Sequence, residues 1–372
     1  MQIGIITIHN HHNYGAMLQL FALNQAVCKL GHQCKTIDCN IDPGTGRLIK
    51  WSNRPGKTIA NFYLLCHRNA NERFHKRFLD FSRQYISLTD TTYKTIEQLN
   101  TTPPYFDAYI TGSDQVWNPS LLDRKIGHAY HLCFASPAHS KLISYAPSFG
   151  VDEIPVCQTG EISRYLKRYN SLSVREKRGQ EIIFDLTGRK AAHVLDPTLL
   201  LSAKEYEPIL VQPSISGEYV LVYPMELGKN KAFLNLVKEV KKQSSLPIVC
   251  ILPLNFDWRW FLVADRIILD AGPQEFLGYF KNASMICTNS FHGTVFSIVF
   301  RKNFLGLPHS VTNSRIYSLL EKVGLLDRQL SEFSPQKTRE ALGAPIEYNK
   351  TTPRLQDSIN FSLEYLKGAL GG

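Results

Sequence analysis

Residues 2–30 read QIGIITIHNHHNYGAMLQLFALNQAVCKL and carry the clearest fold signal in the chain. An apolar run over residues 2–8 predicts a buried strand. From Tyr14 to Leu30 apolar residues recur at helical spacing, with Asn13 in position to cap the helix and Gly31 to end it. A strand followed by such a helix is the opening unit of a parallel sheet covered by helices.

The same alternation continues along the chain. It predicts strands near residues 35–39, 107–111, 141–146 and 171–174, with a helical insertion at about 57–86. Beyond Asp196-Pro197 the pattern starts again, with strands at 218–223, 247–252, 266–269, 284–288 and 304–306 and helices at 229–242, 273–281, 293–301 and 314–323. Two such halves predict an α/β fold of two Rossmann-like, doubly wound domains that face a cleft, with ligand-binding loops at the carboxyl ends of the strands.

The turn-rich segment 211–217 is the predicted linker between the halves. We assign residues 1–210 to an N-terminal domain that contains the insertion and residues 211–350 to a C-terminal domain. Residues 351–372 carry a last predicted helix at 355–369, which we expect to pack back on the N-terminal domain.

Composition excludes several classes of protein. The 372 residues are 44% hydrophobic and 20% charged, which is ordinary for a globular chain of two domains. The longest uncharged stretch, Ala283 to Phe300, is interrupted by polar side chains, so we expect no membrane span. The N-terminus lacks the basic region and cleavage site of a secretory signal, which favours a cytoplasmic location. The eight cysteines form no C-x-x-C pair, and we interpret them as reduced core residues rather than metal ligands.

Positive charge is concentrated in one segment. The formal net charge is +10, and residues 54–83 carry seven Lys and Arg against two acidic residues, with aromatic residues interleaved. One interpretation is a solvated helix whose aromatic side chains anchor it in the core. The other is a surface that meets anionic lipid or a lipid-diphosphate substrate at the inner membrane. We expect no nucleic-acid partner, because no recognised module accompanies the charge.

The loop after the first strand presents His9, His11 and His12 just ahead of a helix N-terminus, which attracts anions or sugar hydroxyls. A zinc site built from these histidines is a weaker alternative. The loop contains no G-x-G-x-x-G sequence, which argues against a dinucleotide cofactor in the usual pose.

Three later loops carry candidate polar residues. Asp114 and Trp117 follow a buried strand, and Tyr145 and Ser148 follow the next one, a polar and aromatic combination that suits a carbohydrate. Asp114 has the alternative of merely capping its turn. Arg175 begins the next helix, where a guanidinium grips carboxylate or phosphate, or else pairs with the neighbouring glutamate on the surface.

In the second half, the polar run 288–294 lies between two apolar elements. This places His292 at a helix N-terminus, where the amides of Gly293 and Thr294 could hold a phosphate while the imidazole exchanges a proton. The plainer alternative is a structural histidine.

Six motifs together resemble the polysaccharide pyruvyl transferase family. The resemblance spans roughly residues 1–325 and rests on Asn13-Tyr-Gly-Ala-x-Leu-Gln, Gly112-Ser-Asp-Gln-x-Trp-Asn, Ser173-Val-Arg-Glu, Asp196-Pro-Thr, Gly272-Pro-x-Glu-Phe-Leu and Thr288-Asn-Ser-Phe-His-Gly. It implies a GT-B-like enzyme that moves the enolpyruvyl unit of phosphoenolpyruvate to two hydroxyls of a sugar, forming a pyruvate ketal in bacterial surface polysaccharide. It further implies a lipid-linked acceptor, and phosphoenolpyruvate as donor substrate with neither cofactor nor metal.

The resemblance also implies roles for residues. His292 is the leading general acid, Asp114 the acceptor-side base and Arg175 the anion clamp. The C-terminal domain would bind the donor and the N-terminal domain the acceptor. The implied donor-binding residues are Arg175, Asn289, Ser290, Gly293 and Thr294, and the implied acceptor-binding residues are Asn13, Tyr14, Gln19, Trp117, Tyr145 and Ser148.

One position departs from the family. Several members carry an arginine where this chain has Ser290, so Arg301, Lys302 or backbone amides would have to hold the donor's second anionic group. Two other functions use the same features: a nucleotide-sugar glycosyltransferase on the same scaffold, and a non-catalytic subunit that binds carbohydrate or a lipid carrier.

Overall fold

A computed structural model describes residues 1–41, 67–225, 231–252, 257–308 and 314–371. The chain divides into two compact units. Unit 1 comprises the described parts of residues 1–46, 82–201 and 354–372, and unit 2 those of residues 47–81 and 202–353.

Every strand pairing between the named strands of the described residues is parallel. Unit 1 contains a sheet of order β2-β1-β3-β4 and a two-stranded β5-β6 pair, and unit 2 a sheet of order β11-β10-β7-β8-β9. The strands are β1 Gln2–Ile6, β2 Gln33–Thr36, β3 Ala108–Thr111, β4 Lys141–Ser144, β5 Ser173–Val174, β6 Ala192–His193, β7 Val220–Tyr223, β8 Ile248–Ile251, β9 Arg266–Ile268, β10 Met285–Thr288 and β11 Asn303–Leu305.

Helices connect these strands, as parallel pairing requires. They are α1 Tyr14–Lys29, α2 Arg68–Tyr85, α3 Ile96–Thr101, α4 Ser120–Asp123, α5 Ile126–Tyr130, α6 Val156–Lys167, α7 Lys177–Thr187, α8 Ala203–Tyr206, α9 Lys231–Ser244, α10 Pro273–Asn282, α11 Phe291–Val299, α12 Ser314–Val323, α13 Pro335–Gly343 and α14 Tyr348–Leu370. The predicted helix at 14–30 is confirmed as α1, with Asn13 Oδ1 accepting from the Ala16 amide at 3.2 Å. The prediction at 314–323 is confirmed as α12.

The C-terminal helix α14 contributes to unit 1 from Arg354 onward. The Leu195 amide donates to Ser362 Oγ at 2.9 Å, and the Tyr365 hydroxyl donates to the Ser144 carbonyl at 2.9 Å. These bonds join the end of α14 to the carboxyl end of β4 and to the chain beyond β6.

The basic helix α2 differs from its predicted place in the N-terminal domain, because its residues up to Phe81 belong to unit 2. Arg73 Nε lies 2.7 Å from Asp270 Oδ2, and Arg77 Nε lies 3.0 Å from Glu275 Oε1. These ion pairs join α2 to the N-terminal end of α10. The division between the units at residues 201 and 202 also falls earlier than the predicted boundary at 210.

Part of the basic segment 54–83 lies outside the described residues. In the described part, Phe74, Phe78 and Phe81 are buried on one face of α2. On the exposed face, Lys76 pairs with Asp80 at 2.5 Å. This arrangement favours the interpretation of a solvated helix with aromatic anchors.

Seven of the eight cysteines lie in the described residues. Cys39, Cys250 and Cys287 are buried, as predicted, but Cys28 and Cys157 are exposed. The prediction of core cysteines is therefore wrong for these two, because Cys28 at the end of α1 and Cys157 at the start of α6 have exposed side chains.

Candidate functional site

The carboxyl edge of unit 1 holds a buried ionic cluster centred on Arg175. Its side chain has 0% exposed surface. Nη1 donates to Asp196 Oδ2 at 2.9 Å, and Nη2 donates to Asp114 Oδ1 at 3.2 Å. Glu176 Oε2 lies 3.8 Å from Nε. Asp114, Arg175 and Asp196 follow β3, β5 and β6, so the parallel strands bring them to one edge.

The acids of this cluster are themselves fixed. Asp196 Oδ2 also accepts from Ser113 Oγ at 2.8 Å, and its Oδ1 accepts from the Thr198 amide and hydroxyl at 3.1 and 2.6 Å. Glu176 Oε1 accepts from Ser148 Oγ at 2.7 Å. The charges are therefore held by hydrogen bonds as well as by ion pairing, as buried ions require.

Burial acts to lower the pKa of Arg175, but the carboxylates of Asp114, Asp196 and Glu176 outweigh it and raise the pKa. One permanent cation thus faces three acids. Such a guanidinium is poorly suited to grip an anionic ligand, and the structure does not support Arg175 as an anion clamp or as a partner in a surface ion pair. Its contacts instead suit a residue that positions Asp114.

Asp114 is the most exposed member of the cluster, with 13% of its side chain open to solvent. Its backbone adopts φ 78°, a left-handed conformation that few non-glycine residues take. The Gln115 amide donates to Asp114 Oδ1 at 2.9 Å. Arg175 and Gln115 thus both hold Oδ1. With 13% of its side chain exposed, Asp114 suits the predicted acceptor-side role.

Trp117 and Tyr145 do not form the predicted acceptor surface. Trp117 has 0% exposed surface and belongs to the core of unit 1, where its ring stacks on that of His131 at a centroid distance of 5.5 Å. Tyr145 is equally buried, and its hydroxyl donates to the Leu195 carbonyl at 3.2 Å. Ser148 is also buried and is committed to Glu176.

The predicted acceptor residues at the start of α1 differ in exposure. Tyr14 and Gln19 are buried, and Gln19 Nε2 donates to Thr7 Oγ1 at 3.2 Å. Asn13 is exposed, although its side chain caps α1. Of these three, Asn13 is the one placed to meet a ligand from solvent.

His9 does not join a zinc site with His11 and His12. Its Nε2 lies 2.9 Å from Asp38 Oδ1 and its Nδ1 lies 3.2 Å from the Thr7 carbonyl. Both ring nitrogens are therefore engaged. More generally, the described parts of the chain contain no group of three or more His, Cys, Asp or Glu side chains arranged to hold a metal ion.

The second cluster lies at the carboxyl edge of unit 2, where β10 runs into α11. Ser290 is the N-cap of α11: its Oγ accepts from the Gly293 amide at 3.3 Å, and its carbonyl accepts from the Thr294 amide at 2.9 Å. The two amides predicted to hold a phosphate are thus bonded to Ser290, and the structure does not support that prediction for Gly293 or Thr294. The physical reason is that Ser is among the strongest N-caps.

His292 lies in the first turn of α11 and is 9% exposed, with its ring edge-on to that of Phe291 at 5.2 Å. Asn289 precedes the cap and is 1% exposed. Its Oδ1 accepts from the Met225 amide at 2.8 Å, which ties the end of β10 to the end of β7. Both side chains are therefore held at the sheet edge where doubly wound folds bind ligands.

Arg301 and Lys302 do not replace the family arginine. They follow the C-terminal end of α11, which at about 1.5 Å per residue lies about 12 Å from its N-terminus. Arg301 Nη2 donates there to Thr352 Oγ1 at 2.6 Å. Neither cation reaches a group bound beside His292.

Asp196 and Ser113 belong to the cluster although neither was predicted as a site residue, and Glu176 was expected only as a surface partner of Arg175. The Asp196-Pro-Thr motif is one of the six that carry the family resemblance, and this was the available signal. The bonds that join Asp196 to Arg175 and to Ser113 span 21 and 83 positions, so these pairings were not visible in the chain.

Among the described helices, none combines the length and apolar character needed to cross a bilayer.

Known proteins resemble this chain in fold. A UDP-N-acetylglucosamine 2-epimerase from Rickettsia bellii superposes with a TM-score of 0.54 at 10% identity, covering 100% of this chain and 96% of that one. The UDP-GlcNAc 2-epimerase from Neisseria meningitidis bound to UDP-GlcNAc gives 0.52 at 12% identity, and a glycosyltransferase from Rickettsia africae gives 0.51 at 12%, each covering 100% of this chain and 99% of the other. These neighbours confirm the predicted GT-B-like fold of Rossmann-like units.

Sequence comparison gives two matches of different weight. Nicotinate phosphoribosyltransferase from Saccharomyces cerevisiae is 25% identical over 187 residues, which cover 50% of this chain and 40% of the yeast protein. The model of the family described as polysaccharide pyruvyl transferase matches residues 13–311. That match takes in both clusters, from the N-cap Asn13 through Asp114 and Arg175 to His292. The chain therefore belongs to the polysaccharide pyruvyl transferase family.

Proposed function

We propose that the protein transfers the enolpyruvyl unit of phosphoenolpyruvate to two hydroxyls of one sugar, forming a pyruvate ketal in bacterial surface polysaccharide. The family match over residues 13–311 carries this proposal. It is supported by two buried polar clusters, each at the sheet edge where folds of this kind bind substrates.

The reaction needs an acid and a base. The acid protonates the methylene carbon of phosphoenolpyruvate, which leaves an oxocarbenium-like centre at the adjacent carbon. A sugar hydroxyl adds to that carbon and gives its proton to the base. Phosphate then departs as a second hydroxyl of the same sugar adds to that carbon, and the proton of this hydroxyl leaves with the phosphate, which closes the ketal.

We assign the acid to His292 and the base to Asp114. His292 is nine-tenths buried at the start of α11, where the helix N-terminus favours a bound anion. Asp114 is a carboxylate held through Oδ1, with 13% of its side chain exposed. A positioned acid or base of this kind contributes about 10²- to 10⁴-fold to a rate.

Arg175 then acts as a positioning residue. Its Nη2 donates to Asp114 Oδ1, while Asp196 holds the other arm of the guanidinium at 2.9 Å. The arginine fixes the direction of the carboxylate. On this proposal no residue of the Arg175 cluster binds the donor, and neither metal nor cofactor takes part.

The acceptor follows from the family's polysaccharide substrate. We propose that it is a lipid-linked oligosaccharide, which would bring a cytoplasmic protein to the inner face of the membrane. The exposed cations of α2 are partly neutralised by acids on the same helix, so contact with anionic lipid would depend largely on the sugar carrier.

Ligand-induced thermal stabilisation tests the donor. Phosphoenolpyruvate is expected to raise the melting temperature, while uridine diphosphate leaves it unchanged, because a ligand stabilises only the state that binds it. Stabilisation by the nucleotide alone would assign the protein to the nucleotide-sugar glycosyltransferases instead. No stabilisation by either, together with binding of the sugar, would indicate a non-catalytic binding subunit.

A further inference from the structure

A second buried carboxamide lies close to Asn289. Gln329 is 6% exposed, and within the described residues neither its Oε1 nor its Nε2 has a hydrogen-bond partner. Its backbone is fixed beside Gly306, just beyond β11: the Gly306 amide donates to the Arg328 carbonyl at 2.9 Å, and the Leu330 amide donates to the Gly306 carbonyl at 3.0 Å. The side chain is therefore held at the carboxyl edge of the unit 2 sheet.

The glycine at 306 makes room for this side chain. A Cβ at that position would collide with Gln329 Oε1 and would lie 2.7 Å from the Thr288 carbonyl oxygen. Gln329 thus lies beside the end of β10, next to the residue that precedes Asn289. Since β10 and β11 pair in parallel, both carboxamides lie at the same edge.

The orientation of the Asn289 side-chain carboxamide follows from its one hydrogen bond to the described residues. Its Oδ1 accepts from the Met225 amide, so the opposite end of the carboxamide is the NH₂ group. This Nδ2 is buried and has no partner in the described part of the chain. Among the described residues it is therefore a buried donor without an acceptor.

Two buried carboxamides at one edge, each with polar atoms that no described residue pairs, need an explanation, because an unpaired buried polar group destabilises the folded protein. Their NH₂ groups are donors, and the neighbouring N-terminus of α11 carries partial positive charge. Neutral donors in a buried site stabilise an oxyanion in the way an oxyanion hole does. The chemistry that fits is a carboxylate or phosphate group of a small acid.

We propose that Gln329 and Asn289 form the oxyanion subsite of the donor, with Ser290 providing the helix cap rather than a charge. The inference rests on the proposed function, since the oxyanion belongs to phosphoenolpyruvate. In this proposal, neutral side-chain amides of unit 2 bind the anionic group of the donor, and no guanidinium does.

Gln329→Met tests this subsite. Methionine keeps the length of the side chain but removes both polar ends, so the free protein loses an unsatisfied group. We expect the melting temperature to stay constant or rise by about 2–4 °C. The dissociation constant for phosphoenolpyruvate is expected to increase about tenfold or more. Gln329→Glu, which preserves shape and adds a negative charge, is expected to weaken binding further.

Gln180→Met is the matched control. Gln180 Nε2 donates to the Ala191 carbonyl at 2.7 Å on unit 1, so its loss is expected to lower the melting temperature and leave donor affinity unchanged. Pyruvate and inorganic phosphate, titrated separately, identify the group held: the one whose affinity falls in Gln329→Met occupies the subsite.

The outcomes separate the two proposals. If wild-type protein binds phosphoenolpyruvate and both Gln329 variants bind it equally well, the subsite is wrong while the proposed function stands. If wild-type protein binds no phosphoenolpyruvate, the proposed function is wrong, and the proposed subsite is wrong as well. A lower melting temperature with unchanged affinity in Gln329→Met would assign Gln329 a purely structural role.

Discussion

Arg175 Nη1 and Asp196 Oδ2 are joined by a hydrogen bond of 2.9 Å between two side chains that have no exposed surface. The pair links the residue after β5 to the residue that follows the end of β6 by three positions. It also anchors the guanidinium whose other arm holds Asp114. The geometry of the Asp114 carboxylate therefore depends on an aspartate that does not face solvent.

Asp196→Ala is expected to destabilise the protein by about 3–5 kcal/mol, because it leaves a buried guanidinium without its main partner. Urea denaturation measures this loss. Glu347→Gln, which breaks the exposed pair with Lys350, is the control and is expected to cost no more than about 1 kcal/mol. Equal losses in the free energy of unfolding would show that the buried pair contributes no more to stability than an exposed pair.

Arg175→Lys is expected to lower kcat about ten- to a hundredfold with little change in KM for phosphoenolpyruvate. The reason is that Lys lacks the planar fork that reaches Asp114 and Asp196 together, and each lost charge-assisted bond costs about 1.5–3 kcal/mol. Steady-state kinetics with varied donor separates the two constants. Arg178→Lys, on the exposed pair with Glu181, is the control. A large rise in KM with constant kcat would restore Arg175 as an anion clamp.

His292→Ala is expected to reduce turnover about a hundredfold or more if the imidazole is the acid. Turnover of saturating substrates is the measurement, with His139→Ala as an exposed control. Normal turnover in His292→Ala would place the acid elsewhere and would be the result expected of a binding subunit.

Because His131 is buried, we expect the folded protein to lose stability in acid. Burial between the rings of Trp117 and Tyr165 lowers the pKa of His131 to about 3. The unfolded chain binds a proton near pH 6.5 while the folded protein does not, so stability is complete above that pH and falls as the pH drops towards 3. At pH 5 the loss is about 2 kcal/mol.

His131→Phe removes this titration and keeps a ring in the stack. Its free energy of unfolding is expected to fall less than that of the wild type between pH 7.5 and pH 5, as measured by urea denaturation at each pH. His139→Phe is expected to behave as the wild type. An unchanged pH dependence in His131→Phe would mean that the imidazole is protonated inside the folded protein.

The sequence predicted the elements far better than the direction of side chains. Helices α1 and α12 were located because their apolar residues repeat at helical spacing, a local property. Trp117 and Tyr145 were misjudged because the loops that hold them turn through left-handed residues, Asp114 at φ 78° and Ala146 at φ 57°. These turns direct the aromatic rings into the core, and no periodicity reveals them.

Long-range partners were equally invisible. Helix α2 pairs through Arg73 with Asp270, which lies 197 positions away, so its assignment to unit 2 had no sequence signal. Gln329 lies outside every motif that supported the family resemblance. The positions of Asp114, Arg175 and His292 at strand ends were predictable, because parallel sheets place their loops at one edge. The cleft between the domains stays a prediction.

The proposed formation of a pyruvate ketal from phosphoenolpyruvate can be measured by mass analysis of the product. Protein, phosphoenolpyruvate and a panel of lipid-linked galactose, mannose and N-acetylhexosamine acceptors are incubated together, and acceptor mass and free phosphate are measured. We expect one acceptor to gain a carboxyethylidene group, with one phosphate released for each group gained. Acceptors that stay unmodified by phosphoenolpyruvate but gain a sugar from a nucleotide sugar would contradict the proposal.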